Sequence, residues 1–206
     1  MPGERSFFRL MNLPNQLTIA RLGLTVLFVA VAYSGWSWAL TAALGLFVLA
    51  SATDYLDGRI ARQRGLVTAF GKLMDPLADK VLMAAAFVML LDLDRTTMPA
   101  WLVIVVLVRE FLVTGLRLLG ASRGAVLAAD WLGKQKTVWQ MATATFLLVM
   151  HASAESLLAG AAPFFAPSGT GRTLLVPVLL GITLVTTVWS GAAYLWRNRA
   201  LVLQEL

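Results

Sequence analysis

Asp54 to Lys80 reads DYLDGRIARQRGLVTAFGKLMDPLADK, and its acidic residues decide what the rest of the chain must build. The stretch holds four carboxylates, Asp54, Asp57, Asp75 and Asp79, in a chain that is 59% hydrophobic. A helix advances about 100° per residue, which sets Asp54 and Asp57 about 60° apart on one face and Asp75 and Asp79 about 40° apart on another. A turn near Arg64-Gly65 would fold the two faces together. Four carboxylates in such a space cannot all stay ionised without cations. Hard oxygen donors suit Mg²⁺ or Mn²⁺, so the stretch reads as a divalent metal site, with two ions the economical number.

Outward from that stretch the chain reads as membrane. Only 14% of its 206 residues are charged and its mean hydropathy is +0.76, which places it as one compact membrane domain. It has no cysteine, so disulfides and thiolate metal sites are excluded. A net charge of +6 could serve nucleic acid. The basic residues instead cluster at alternate ends of apolar segments, as expected beside anionic lipid headgroups, and no nucleic-acid partner is expected. The first residues lack a short apolar core followed by a small-residue cleavage site, so no cleaved signal peptide is expected.

Met1 to Leu13 interleaves Phe7, Phe8, Leu10 and Met11 with Arg5 and Arg9. That pattern predicts a short amphipathic helix on the membrane surface, the alternative being a disordered tail. Six spans follow, near 17–33, 37–64, 68–91, 100–119, 133–150 and 174–196. Each is close to the roughly 20 residues needed to cross a bilayer. The Gly-, Pro- and Ser-rich stretch from Ala152 to Gly171 reads as a loop. Fourteen basic residues fall on the side of the aspartates, two (Arg95 and Arg172) fall opposite, and Arg109 lies inside a span. The aspartate side is therefore expected to face the cytoplasm. The predicted fold is an all-α polytopic membrane protein, with a juxtamembrane segment 1–13, a six-helix domain 14–199 and a tail 200–206.

The pattern D-x-x-D-G-x-x-A-R followed by G-x-x-x-D-x-x-x-D is filled by Asp54, Asp57, Gly58, Ala61, Arg62, Gly71, Asp75 and Asp79. In this it resembles the CDP-alcohol phosphotransferases. The resemblance implies transfer of a phosphatidyl unit from CDP-diacylglycerol to an alcohol, with release of CMP. By the same resemblance Asp54, Asp57 and Asp75 are metal ligands for two Mg²⁺ or Mn²⁺ ions. Asp79 would complete the coordination and act as general base toward the acceptor hydroxyl. Gly58, Ala61 and Gly71 would let the CDP-lipid approach the backbone, although small residues also serve helix packing. Arg62 would hold pyrophosphate oxygens with paired N–H donors, whereas Arg59, Arg64 and Lys72 read as positive-inside residues.

A second group bears on the acceptor. Arg109 lies about ten residues into an apolar segment, where an unpaired guanidinium is costly. Arg117 returns to within about 80° of the same face, and Lys134 and Lys136 begin the next span. These four cations could converge on an acceptor that already bears a phosphate. The stretches NLPNQLTIAR, TAFGKLMDPLADK, REFLVTGLR and AADWLGKQKT resemble the branch of the family whose acceptor is sn-glycerol 3-phosphate. Ala69 stands where that branch often carries Asp. Glu110 would orient Arg109 or bind acceptor hydroxyls, and Arg109-Glu110 could equally be an internal ion pair or a dimer contact. Arg21, beside Thr18, would touch a phosphate or snorkel to the interface.

The resemblance further implies a homodimer, and it suits a bacterial inner membrane first and a mitochondrial one as the alternative. The rival readings are a sister transferase using inositol phosphate, serine or phosphatidylglycerol, and, from another class, a membrane cation carrier. A prenyltransferase also pairs aspartates with Mg²⁺, but the G-x-x-A-R after Asp57 fits it poorly.

Overall fold

The computed structural model describes the backbone of residues 13–64, 69–122 and 131–199, and the side chains of 18–53, 77–78, 80–121, 131–155 and 157–199. Within these bounds the chain is helical, with no strand: α1 (Leu13–Ala32), α2 (Ala39–Arg64), α3 (Ala69–Leu93), α4 (Ala100–Ser122), α5 (Trp131–Ala152), α6 (Ala162–Phe165) and α7 (Val176–Arg197). The segment 1–13 read as an interfacial helix and the tail 200–206 lie outside the described residues, Leu13 excepted. The long helices coincide with the apolar runs because the breakers do. Gly35 takes φ +73 after α1, a conformation that a side chain would resist. Pro177 stands in the first turn of α7, where its missing N–H costs nothing.

The 152–171 stretch departs from the loop expected of it. A 3₁₀ turn over Ser156–Ala161 leads into α6, and a π-helical turn over Gly171–Leu175 leads into α7. Phe165 is the reason. Its ring meets Phe146 at 5.2 Å and Phe164 at 5.0 Å, both edge-on, and burying that area favours short turns over an open loop. Gly169 closes the corner, since a Cβ there would stand 2.3 Å from the Phe164 carbonyl oxygen.

The contacts divide the chain into two compact units, Met1–Ala86 with His151–Gly160, and Phe87–Met150 with Ala161–Leu206. In the first, α1 and α2 pack through Phe28 and Phe47, whose rings are 5.9 Å apart, with Ala43 and Ala50 letting the backbones approach. The open N-terminus of α2 is capped from far along the chain. Glu155 accepts from the Leu40 N–H at 2.7 Å and from the Thr41 N–H at 2.8 Å, and the Thr41 hydroxyl donates to it at 2.6 Å. A carboxylate there satisfies two orphan donors and meets the positive end of the helix dipole.

The second unit is organised inside out. On α7 the buried face is Thr183, Thr187, Ser190, Gly191 and Tyr194, while Val185, Val188, Trp189 and Trp196 face outward. On α4, Glu110 is buried, while Trp101, Ile104, Val108 and Phe111 are exposed. Water would penalise so continuous an apolar exterior, whereas lipid would not. Polar side chains tie the helices together. Gln140 Nε2 donates to Thr187 at 3.1 Å, and the Thr143 and Thr183 hydroxyls lie 2.8 Å apart.

At the opposite end of this unit, Asp94 accepts from the Thr96 and Thr97 N–H groups at 3.0 and 3.1 Å, from the Thr97 hydroxyl at 2.6 Å and from Arg172 at 2.9 Å. Burial alone would raise the Asp94 carboxyl. The Thr97 hydroxyl, the two amides and the guanidinium outweigh it and hold the group below its ordinary value.

By length and apolar content along the described residues, the Gly171–Arg197 helix of 27 residues is long enough to cross a bilayer. Trp131–Ala152 joins it when taken with the bent segment Leu157–Phe165. In α4 the same length is interrupted by Arg109, Glu110 and Arg117. In α1 and α2 the described apolar portions are the shorter Thr18–Ala32 and Ala39–Thr53.

Candidate active site

The chemistry-bearing side chains of the second unit gather where α4, α5 and α7 pack. Glu110 is the centre. One of its oxygens accepts from Arg109 Nη1 at 3.2 Å and also from Lys136 Nζ, a direct ion pair inside the bundle. Lys136, only 2% exposed, donates in addition to Gln140 Oε1 at 3.2 Å, one helical turn along α5. Gln140 passes the chain of bonds to Thr187 on α7. Two cations sharing one carboxylate is what burial demands. An ion taken from water into lipid-like surroundings without a partner would cost several kcal/mol.

Arg109 threads between two glycines. A Cβ on Gly191 would lie 3.0 Å from Arg109 Cγ, and one on Gly133 would lie 3.7 Å from Arg109 Nη2. Missing side chains on α5 and α7 thus make the slot in which the guanidinium lies. Two donors at this slot have no hydrogen-bond partner among the described residues, Arg109 Nε and Tyr194 Oη. Tyr194 is 4% exposed, and the charges acting on its hydroxyl are those of Arg117 and Arg109.

Of the residues expected at the acceptor, the structure brings Arg109, Glu110 and Lys136 together. Arg117 is exposed on α4, with its charge felt at Tyr194. Lys134 is exposed on α5. The internal ion pair envisaged for Arg109 and Glu110 is present. Arg21 is 3% exposed on α1, in the other unit, with Thr18 and Thr25 buried beside it in sequence. The Thr25 hydroxyl donates to the Arg21 carbonyl at 2.8 Å.

The side chains of Asp54, Asp57, Gly58, Ala61, Arg62, Gly71, Asp75 and Asp79 lie outside the described residues. Their backbone is described, and it is helical on both α2 and α3. The 60° and 40° separations, about which the face argument turns, therefore apply to real helices. The donor set is all carboxylate oxygen, the chemistry that hard divalent cations take. Among the described residues no group of three potential ligands forms a metal cluster.

Gln140, Thr187, Gly191 and Tyr194 escaped the reading of the sequence. Their signal was there, in polar or small residues recurring every three or four positions along α7 at Thr183, Thr187, Ser190, Gly191 and Tyr194. In an otherwise apolar span that period marks a face turned toward protein.

The profile of the CDP-alcohol phosphatidyltransferase family matches residues 11–189. A protein of Bacillus subtilis (strain 168) named CDP-diacylglycerol–glycerol-3-phosphate 3-phosphatidyltransferase is 45% identical over 152 residues, covering 68% of this chain and 77% of the relative. An Arabidopsis thaliana protein of the same name, number 2, is 33% identical over 205 residues, covering 92% and 82%. A protein of Oryza sativa subsp. japonica named cardiolipin synthase (CMP-forming) is 38% identical over 152 residues, covering 68% and 46%.

Proposed function

This chain belongs to the CDP-alcohol phosphatidyltransferase family, and from that premise we propose that it transfers the phosphatidyl group of CDP-diacylglycerol to sn-glycerol 3-phosphate. The observation that carries the choice of acceptor is Arg109, a guanidinium held inside an apolar helix with an Nε donor that has no hydrogen-bond partner among the described residues. A phosphate-bearing acceptor explains a cation placed there, and a neutral alcohol does not. The name of the Bacillus subtilis relative supports the same acceptor.

In this reading the acceptor's primary hydroxyl oxygen bonds to the lipid-side phosphorus as the bond to the CMP oxygen breaks. Asp79 takes the hydroxyl proton. Arg62 holds pyrophosphate oxygens with paired donors, and Gly58, Ala61 and Gly71 leave room for the nucleotide. Asp54, Asp57, Asp75 and Asp79 would hold two divalent cations, Mg²⁺ or Mn²⁺. When bound, such ions neutralise pyrophosphate charge and stabilise the departing CMP. Arg109 and Arg117 anchor the acceptor phosphate, Lys136 acts with Glu110 to fix Arg109, and Lys134 adds positive charge at the entrance.

The chain is read as six spans, α1 to α5 and α7, in a bacterial inner membrane with the acidic helix ends toward the cytoplasm. The basic residues, fourteen to two, support that orientation. Copies pair as a homodimer. A second reading rests on the rice relative's name, cardiolipin synthase, and takes phosphatidylglycerol as acceptor. The deciding experiment offers the purified protein labelled CDP-diacylglycerol with glycerol 3-phosphate, phosphatidylglycerol, inositol phosphate, serine or no acceptor. CMP release that depends on glycerol 3-phosphate is expected, and faster release with any other acceptor would overturn the proposal.

A further inference from the structure

In a bilayer the tails of all lipids are alike as solvent, so an apolar helix face gives fit without preference, and any preference must come from charge. The outward side of α7 carries both. Val178, Val185, Trp189, Ala192 and Trp196 fall within about 60° of one another at 100° per residue, and all five are exposed. They form a stripe turned away from the buried Thr183, Thr187 and Gly191.

Two grooves lie along this stripe. The first, around Val178, Gly181 and Val185, is lined only by uncharged residues among those described. The second has a volume of about 310 Å³. It is lined by Ala192 and Ala193, whose small side chains leave space, by the indoles of Trp189 and Trp196, and by Arg197. The eight residues from Trp189 to Arg197 rise about 12 Å, most of the roughly 15 Å of hydrocarbon in one leaflet.

Arg199 stands beside the second groove. Its guanidinium lies 4.8 Å from the centre of the Trp196 ring, and its Nη1 donates to the Trp196 carbonyl at 3.3 Å. Ring and carbonyl fix the guanidinium in place, while that bond uses one of its five N–H donors. A cation at a helix C-terminus meets the dipole whatever else it does. The dipole does not account for a hollow between two indoles that ends at two guanidinium groups.

A second copy of the chain is the other candidate for this face. Pairing about a twofold axis along the membrane normal would set the same patch against itself. Arg197 and Arg199 would then meet their own images, and no Asp or Glu stands between Val176 and Arg199 to compensate them. An anionic lipid supplies the complementary charge. We infer that the outward face of α7 from Trp189 to Arg199 is a binding site for one anionic phospholipid. An acyl chain occupies the groove at Ala192 and Ala193, and the headgroup phosphate rests on Arg197 and Arg199. The lipid is held and not transformed, and the site is independent of the acceptor chosen above.

The test titrates the full chain in detergent, with neither CDP-diacylglycerol nor divalent cation present, and follows the thermal unfolding midpoint. Phosphatidylglycerol and phosphatidylcholine with the same acyl chains are added separately. Phosphatidylglycerol should raise the midpoint saturably, and phosphatidylcholine should not. Replacing both arginines, Arg197→Gln with Arg199→Gln, should weaken the apparent affinity for phosphatidylglycerol roughly tenfold, in line with two cations beside a lipid surface. Ala192→Leu fills the groove while keeping both arginines, and should weaken it as much. Gly181→Leu fills the other groove, where the glycine has open space, and should leave the affinity unchanged.

An equal response of wild type to the two lipids would overturn the site. So would an Ala192→Leu titration that superimposes on wild type, and this variant decides the matter even if loss of both arginines prevents folding. Equal loss in Gly181→Leu would also sink it, because the whole face and not one groove would then be sensed. A midpoint that rises with protein concentration and ignores lipid would give the face to a second copy.

Discussion

Gly191 lies directly against the stem of Arg109, close enough that a methyl in place of its hydrogen would stand 3.0 Å from Arg109 Cγ. That relationship separates two effects of Gly191→Ala. Replacing a helical glycine by alanine gains about 0.5–1 kcal/mol, while overpacking costs typically 1–3 kcal/mol. The two nearly offset, so the unfolding midpoint should move by only a few degrees. The Arg109 stem, however, must shift by tenths of an ångström. The acceptor KM should therefore rise several-fold at near-constant stability, and a loss of stability with the acceptor KM unchanged would mean that Gly191 matters only for packing.

Glu110 holds two buried cations, Arg109 and Lys136, so its removal should be worse than the removal of either. Glu110→Ala is expected to lower stability by roughly 3–5 kcal/mol, the cost of a buried charge without its partner. Lys136→Met should cost much less, because Arg109 still faces the carboxylate. The double variant Glu110→Gln with Lys136→Met should be more stable than the sum of its singles predicts. Strict additivity in detergent unfolding would show that the two side chains are not coupled.

How far these relationships could be read from sequence depends on their range. Helix limits were legible because Gly35, Pro99 and Pro177 punctuate the apolar runs, and local chain chemistry suffices there. The inward turn of Arg109 followed from the cost of a guanidinium in lipid. Its neighbours did not follow, since hydropathy says that a span is buried but not which helix meets which. Lys136 was grouped with Lys134 by spacing along the chain, yet their exposures differ completely because they project from different sides of α5. Tyr194 drew no reading, because an aromatic near the end of a membrane helix is ordinary by composition.

Glu155 is the longest-range case, 115 residues from the Leu40 N–H that it caps. Glu155→Ala should expose two unpaired N–H groups at the start of α2 and cost about 1–2 kcal/mol. Glu155→Gln keeps an acceptor oxygen and should recover about half of that loss. Hydrogen exchange at Leu40 and Thr41 is the local readout. Unchanged protection in Glu155→Ala would show that α2 is held by other contacts.

The Asp94 cluster predicts a pH dependence with a definite sign. Its carboxyl is held below the ordinary value in the folded chain, and an unfolded chain titrates near 3.9, roughly the reference for Asp. The contribution is thus complete above about pH 4–5, and is lost as pH falls toward the folded value, because the unfolded state takes its proton first. Wild type should accordingly be more stable than Asp94→Asn at pH 6, and the two curves should draw together as the pH falls below about 4. The difference between the curves isolates Asp94 from other carboxylates. A constant gap would assign the cluster to hydrogen bonding alone.

The four aspartates of α2 and α3 permit the sharpest division of roles. Helical backbone runs through all four positions, so Asp54 and Asp57 share one face and Asp75 and Asp79 another. If Asp54, Asp57 and Asp75 serve chiefly as ligands, an alanine at any of them should abolish transfer and weaken Mn²⁺ binding, followed by the relaxation of bulk water. If Asp79 also takes the acceptor proton, Asp79→Asn keeps one ligating oxygen while removing the base. It should therefore lower kcat by 10²–10⁴, the usual scale of general-base catalysis, with CDP-diacylglycerol binding within a few-fold of wild type. Equal loss of lipid binding and turnover in Asp79→Asn would make it a ligand only, and full wild-type activity in excess EDTA would remove the cations from the mechanism.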